Sequence, residues 1–264
     1  AVDSPRLSAE LLLQHVCGIS RVELATRPET FLTSDQLSRM AGLLRRRADG
    51  EPAAYLLGQR EFYGRDFRVT PATLIPRPET EHLIEAALKG CDGPASFADL
   101  GTGSGCIAVS LALGLPGAEL FAADLSDEAL AVAAENARRL GARVTLRRAD
   151  ALHGLADAFP ERFDAIVSNP PYVPESDRAA MHPNVRDHEP GMALFVPDGD
   201  RILFYRAIAR AGRRLLLPGG RLYFEIYEHA AEETAQMLRQ EGYSAVELRE
   251  DLNGKPRMIC SRMT

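Results

Sequence analysis

The tetrapeptide Asn169-Pro170-Pro171-Tyr172 closes an apolar run with β propensity, Phe163-Asp164-Ala165-Ile166-Val167-Ser168. Two consecutive prolines remove two backbone donors and hold the chain stiff and extended, while their carbonyls stay free to accept hydrogen bonds. The Asn169 side chain adds another acceptor, and Tyr172 adds a flat aromatic face. This set suits a planar NH2 group, with two acceptors for its two hydrogens and a ring to pack on its plane. Taken alone, the tetrapeptide also reads as a Pro-rich turn after a buried strand, and the segment upstream decides between the two.

That segment is Asp99-Leu100-Gly101-Thr102-Gly103-Ser104-Gly105, at a strand-to-helix junction. Its glycines let the backbone turn tightly and approach a ligand closely, and the helix N-terminus behind them favours negative charge. Asp124, followed by Leu125, ends the next strand about 20 residues on, where a carboxylate can accept both hydroxyls of a ribose. Asp150, with Ala151 beside it, ends the third. Each Asp alone reads equally well as a strand-end turn or a helix cap. Three at consecutive strand ends, where ligands bind in open α/β sheets, point to a ligand site. The dinucleotide fingerprint G-x-G-x-x-G fails, because Cys106 stands where the third glycine belongs, and the chain contains no G-x-x-x-x-G-K-[ST]. A ligand with a ribose but no pyrophosphate fits better, and S-adenosylmethionine is such a ligand. Asp124 then faces the ribose, Asp150 the adenine edge, and Asp99 favours the ammonium group electrostatically.

Alternating elements must carry these loops. Strands are expected at 97–100, 119–123, 144–148, 165–168, 221–226, 245–249 and 257–260, with helices at 107–113, 127–140, 202–216 and 230–241. This pattern predicts a parallel, doubly wound sheet. Asn253-Gly254 between the last two strands is a hairpin signal, so an antiparallel strand is expected at or near one edge. The first ~60 residues read as helical. Ser4-Pro5 offers an N-cap and a first-turn proline, Leu7, Leu11, Leu12 and Val16 form an apolar face, and Gly18 stops the helix. Thr33-x-x-Gln36 is a capping-box pattern, followed by Leu37, Met40 and Leu44 on one face. Arg45-Arg46-Arg47 reads as the solvated end of that helix. Two short strands are expected at 61–64 and 67–71, and Pro76-Arg77-Pro78 forms a rigid approach to a helix starting near Thr80. The expected organisation is a helical domain at 1–60, an extended linker or hairpin at 61–80, and a catalytic domain at 81–264.

The chain has 264 residues and a net charge of −6, which excludes a general nucleic-acid binder. Residues 1–75 carry ten Lys+Arg against nine Asp+Glu, so the acidic excess lies in the part that holds the motifs. The four cysteines, Cys17, Cys91, Cys106 and Cys260, show no metal-ligand spacing and read as reduced thiols, so no metal is expected. No apolar run approaches ~20 residues and no signal peptide opens the chain, so a cytoplasmic protein is expected.

Leu74-Ile75-Pro76-Arg77-Pro78-Glu79-Thr80-Glu81, the Asp99–Gly105 segment and Asn169-Pro170-Pro171-Tyr172-Val173 together resemble the HemK/PrmC family, methyltransferases that modify a glutamine of peptide chain release factors. The resemblance covers nearly the whole chain. Ser4–Leu12 is similar to the family's N-terminal region, Gly50-Glu51-Pro52 with Gly58–Phe62 to its linker, and Glu189-Pro190 with Ala193-Leu194 to the segment after the Tyr. Family members usually carry a further helix before Ser4, and Val196–Ile202 departs from the usual Gly-rich wording.

The resemblance implies a class I S-adenosylmethionine-dependent methyltransferase fold. This is an α/β, seven-stranded doubly wound sheet with an antiparallel C-terminal strand, plus a small N-terminal helical domain that docks the protein substrate. It implies methylation of the side-chain nitrogen of the glutamine in the Gly-Gly-Gln motif of class 1 release factors. Asn169, Pro170 and Tyr172 are then catalytic, the first two as acceptors and Tyr172 packing on the carboxamide; all four residues from Asn169 to Tyr172 bind the substrate, and Arg77 and Thr80 join Asn169 at the cofactor cavity. No general base is needed, and His182 and His188 read as surface residues. Two other readings stay open. An amino-methyltransferase acting on a nucleic-acid base uses the same tetrapeptide but needs a basic groove, and a non-enzymatic cofactor-binding scaffold has no use for the tetrapeptide.

Overall fold

Pro5 opens helix α1 (Pro5–Cys17), where its missing N–H goes unneeded, and Gly18 at φ +66° closes it. The computed structural model describes residues 4–26, 29, 31–91, 95–251 and 253–264. Ser4 makes no side-chain cap, because its backbone lies in the left-handed region (φ +46°) instead of the extended conformation a cap requires. Short α2 (Arg21–Thr26) leads to α3 (Ser34–Ala48). The capping box on α3 is complete: Gln36 N donates to Thr33 Oγ1 at 3.2 Å and Thr33 N to Gln36 Oε1 at 2.9 Å. The inward face of α3 is Gln36, Met40, Leu43 and Arg47, whereas Leu37 and Leu44 are exposed. Of the expected apolar face, Leu37 and Leu44 thus turn outward and Met40 inward. Arg45 and Arg46 are solvated as expected, but Arg47 is buried, with Nε donating to Ser8 Oγ at 3.2 Å and Nη1 to the Glu51 carbonyl at 3.3 Å.

After α4 (Ala53–Leu57), β1 (Gln59–Phe62) and β2 (Arg65–Arg68) form an antiparallel hairpin. Its turn is Tyr63-Gly64, not part of a strand, because both residues take positive φ (+51° and +69°), which suits the twist of a two-residue hairpin loop. Phe62 and Phe67 meet edge to face beneath it, 5.9 Å apart.

The remainder alternates: α5 (Glu79–Lys89), β3 (Ser96–Leu100), α6 (Cys106–Gly114), β4 (Glu119–Asp124), α7 (Asp127–Leu140), β5 (Thr145–Arg148), β6 (Phe163–Ser168), β7 (Val173–Pro174), α8 (Pro183–Arg186), β8 (Phe195–Val196), α9 (Leu203–Leu215), β9 (Leu216–Glu225), α10 (Ala231–Gln240), β10 (Tyr243–Glu250) and β11 (Pro256–Met263). Seven strands form one sheet in the order β10-β11-β9-β6-β3-β4-β5, and β7 pairs with β8 apart from it. The strands from β5 through β9 run parallel, while β11 is antiparallel to both neighbours and lies between β9 and β10. β9 starts at Leu216, earlier than expected. Pro218-Gly219-Gly220 falls within the strand, where a register shift opposite Phe163 and Ala165 absorbs it.

Successive side chains of each strand feed opposite faces. Leu100, Ile166 and Phe224 join α9 and α10 in one core, and Phe97, Val167 and Tyr223 join α5 and α6 in the other. With both faces covered, the loops at the strands' C-terminal ends are where polar chemistry gathers.

Candidate active site

A cavity of about 330 Å³ opens at the C-terminal ends of β3, β4, β5 and β6, within the size range of small-molecule sites. Gly101, Thr102, Gly103 and Ser104 form one wall, Asp124 with Leu125 and Asp150 with Ala151 another, and Asn169, Pro170 and Pro171 a third. Arg77, just before α5, and Thr80, in its first turn, close it.

Three of the residues expected at the site stand off this wall. Gly105 serves packing: a Cβ there would lie 3.0 Å from Ala133 Cβ, so its absence lets α6 approach α7. At Gly103 a Cβ would meet nothing within 4 Å, and its φ of +54° turns the loop to present backbone to the cavity. Asp99 is fully buried beneath the loop, where its Oδ2 accepts from Thr102 Oγ1 at 2.6 Å and from Ala108 N at 3.2 Å. Its Oδ1 has no hydrogen-bond partner among the described residues. Burial pushes the Asp99 carboxyl up to about 7 against the pull of Thr102. Tyr172 is the third: its ring stacks on Tyr227 at 6.0 Å and 15°, and its hydroxyl donates to Glu225 Oε1 at 3.3 Å. That burial, with the carboxylate next to it, holds the Tyr172 phenol well above its usual range.

Asp124 ties the two nearest loops together. Its Oδ2 accepts from Gly103 N at 2.9 Å and its Oδ1 from Ser126 N at 3.0 Å, while Gly101 N and Thr102 N both donate to the Ala123 carbonyl at 2.9 Å. Asp150 accepts from Leu152 N at 2.8 Å and pairs with His153 Nδ1 at 2.9 Å, and the His153 contact leads the effects that lower its carboxyl. A glycine loop that offers backbone, together with carboxylates at consecutive strand ends, forms a donor and acceptor set that fits a cationic nucleoside.

Asn169 follows β6 directly. Its Nδ2 donates to Thr80 Oγ1 at 3.3 Å, and Thr80 Oγ1 donates to Glu225 Oε2 at 2.6 Å. Thr80 and Glu225 are buried at 2% and 4% exposure. Burial raises the Glu225 carboxyl, and the hydrogen bonds from Thr80 and Tyr172 work against it.

Several supporting residues escaped the sequence reading. Glu225 is a single acidic residue without a motif of its own, and Glu189 entered only within the Glu189-Pro190 resemblance, with no role assigned. Glu189 is buried, with Oε1 2.6 Å from Arg77 Nη2 and Oε2 accepting from Ile75 N at 3.1 Å, so it clamps the Arg77 segment to the loop after the tetrapeptide. Asn136 on α7 is fully buried; its Oδ1 accepts from Arg68 N at 2.7 Å, and its Nδ2 donates to the Arg68 and Ser104 carbonyls at 2.9 and 2.8 Å. It thereby pins both the hairpin and the glycine loop. Met192 and Phe195 bring a further apolar edge to the cavity.

Fold and cavity define a methyltransferase. Residues 80–185 match the family described as Methyltransferase small domain, and residues 1–58 match the one described as PrmC N-terminal domain. Among solved structures, a Pyrococcus furiosus methyltransferase aligns with a TM-score of 0.56 at 18% identity, covering 87% of this chain and 98% of its own. A T. thermophilus 16S rRNA methyltransferase, solved with AdoMet and guanosine, gives 0.58 at 16% identity over 78% of this chain and 50% of its own. At these identities the likeness concerns the fold. The release factor glutamine methyltransferase of Bacteroides thetaiotaomicron is 42% identical over 252 residues, covering 95% of this chain and 90% of that protein. That of Bordetella pertussis is 44% identical over 256 residues, covering 96% and 93%. The chain belongs to the release factor glutamine methyltransferase family.

Proposed function

We propose that this enzyme uses S-adenosylmethionine to methylate the side-chain nitrogen of the glutamine in the Gly-Gly-Gln motif of class 1 peptide chain release factors, in the cytoplasm. The observation that carries this reading is the meeting of Asn169 and Pro170 with the glycine loop and Asp124 around one cavity. Gly101, Thr102, Gly103, Ser104, Asp124, Leu125, Asp150, Ala151, Arg77 and Thr80 would hold the cofactor, with Asp99 and Gly105 supporting the loop. When bound, the cofactor supplies an electrophilic methyl group.

The chain's task is then to present a weak nucleophile. A carboxamide nitrogen has its lone pair delocalised into its carbonyl. Asn169 Oδ1 and the Pro170 carbonyl each accept one of its N–H groups, which aims the nitrogen into the cavity and favours pyramidalisation as positive charge develops. Preorganised dipoles of this kind are typically worth several kcal/mol in barrier, and orientation contributes a comparable amount. The N-methylated amide cation is strongly acidic and loses its proton to these acceptors or to water. Because Tyr172 is held by Tyr227 and Glu225, its part is to brace the tetrapeptide and border the carboxamide site.

Residues 1–60 form the docking unit, 61–80 the connection and 81–264 the catalytic unit in this reading. The exposed Leu7, Val22 and Phe31 on the helical part support a docking role. The test is mass spectrometry of a bacterial class 1 release factor after incubation with the protein and S-adenosylmethionine. One methyl on the Gly-Gly-Gln glutamine, lost with Asn169→Ala while calorimetric cofactor affinity persists, is the expected result. Transfer to nucleic acid instead, or full activity of Asn169→Ala, overturns it.

A further inference from the structure

A carboxamide has one face that accepts and one that donates, so an asparagine can present a substrate NH2 with either the right polarity or the wrong one. What fixes Asn169 lies behind it. Glu225, at the end of β9, turns Oε2 to Thr80 Oγ1 at 2.6 Å and Oε1 to the Tyr172 hydroxyl at 3.3 Å. Thr80 has a single hydroxyl hydrogen, and a carboxylate oxygen facing it can only accept. That hydrogen therefore goes to Glu225, and the Thr80 oxygen is left as an acceptor. Its remaining partner is Asn169, 3.3 Å away, which must meet it with Nδ2. The opposite atom of the amide, Oδ1, is then the one turned away from Thr80.

We propose that Thr80 and Glu225 are positioning residues that fix the polarity of the Asn169 carboxamide, so that its oxygen, and not its NH2, meets the substrate nitrogen. The inference rests on the reading that the substrate group is a carboxamide NH2. A reversed relay would set N–H against N–H at the reacting nitrogen and leave both without an acceptor. The relay needs an acceptor opposite Thr80, not a charge as such. A proton held on Glu225 Oε1, toward Tyr172, leaves it intact, and so does a glutamine whose amide oxygen faces Thr80. Thr80 and Glu225 are both buried, so water does not compete for these bonds.

The test uses the full chain with S-adenosylmethionine and a class 1 release factor. Thr80→Val keeps the shape and removes the hydroxyl. It is expected to lower kcat on the order of 10- to 100-fold at saturating S-adenosylmethionine, with the release-factor KM unchanged. Thr80→Ser and Glu225→Gln, which keep the relay, are expected to restore most of kcat. A Thr80→Val enzyme with wild-type kcat, or one whose whole loss lies in cofactor affinity, overturns the proposal. A second measurement does not need turnover. In ¹⁵N NMR the Asn169 side-chain NH2 is expected as a slowly exchanging pair in wild type and Thr80→Ser, and as a rapidly exchanging one in Thr80→Val. Identical exchange in wild type and Thr80→Val overturns the relay. If wild type methylates no glutamine, the functional reading fails on its own, and the exchange measurement still decides whether the relay exists.

Discussion

Asp124 does two jobs with one carboxylate, and its removal should separate them. Both oxygens already accept backbone N–H groups, from Gly103 and Ser126, while the side chain borders the cavity. Asp124→Ala should weaken cofactor binding about 10- to 100-fold, since hydrogen bonds to a charged group are worth about 1.5–3 kcal/mol. Titration calorimetry checks this, and unchanged affinity would remove Asp124 from the cofactor site. Asp99 leads to a second prediction. Its carboxyl sits at about 7 in the folded chain against an ordinary value of 3.8, because it is buried. Between those values the folded chain keeps the proton while the unfolded chain has lost it. Stability therefore falls as pH rises from about 4 to about 7, by up to about 4 kcal/mol from this group. Asp99→Asn has no such proton to lose, so urea unfolding should show the variant gaining on wild type across that range. Parallel pH profiles would contradict the assignment. The segments legible in the sequence were those whose signal is local: four consecutive residues for the tetrapeptide, seven for the glycine loop. Thr80 meets its partners Asn169 and Glu225 across 89 and 145 residues, and Arg77 meets Glu189 across 112. No spacing rule reaches that far.

Among the elements, α7 lines the cavity through Ala129 and also braces it from behind through Asn136, which does not line it. Its carboxamide satisfies the N–H and C=O of Arg68 on the hairpin and the Ser104 carbonyl in the glycine loop. Asn136→Ala leaves the buried Ser104 carbonyl and the part-buried Arg68 N–H and C=O without these partners, a cost of about 1–3 kcal/mol for each group that stays unsatisfied. The expected outcome is a loss on the order of 3 kcal/mol in denaturant unfolding, with weaker cofactor binding because the loop loses an anchor. A variant as stable as wild type would show that the hairpin and loop hold themselves. The alternation of strands and helices was readable because period-2 and period-3.6 patterns are intrinsic to each segment. The inward face of α3 was not, because tertiary packing chose it: Arg47 turns inward to Ser8 and the Glu51 carbonyl, while Leu37 faces solvent. The placement of β11 between β9 and β10 was only partly readable. A hairpin signal gives the direction of the last strand but leaves open which of the two forms the edge.

At the scale of the whole molecule the helical part carries apolar surface that its own fold does not use. Phe31 is 94% exposed, Val22 70% and Leu37 55%. An exposed side chain contributes little to folding, so its removal should leave stability within about 0.5 kcal/mol. If this surface docks the release factor, its loss belongs in recognition and not in chemistry. A single glutamine on a loop offers far less area than the ~800 Å² per partner of a standard interface, so most of the selectivity must come from elsewhere on the enzyme. Phe31→Ser combined with Leu37→Ser should raise the release-factor KM about tenfold, as loss of an apolar anchor does, with kcat, cofactor affinity and unfolding midpoint unchanged. A short peptide carrying Gly-Gly-Gln separates docking from chemistry, because it is too small to span both regions. Wild type and the double variant should methylate that peptide at the same slow rate while differing on the intact release factor. Equal KM values on the intact protein would move docking off this surface, and a difference on the peptide would place these side chains within reach of the cavity itself.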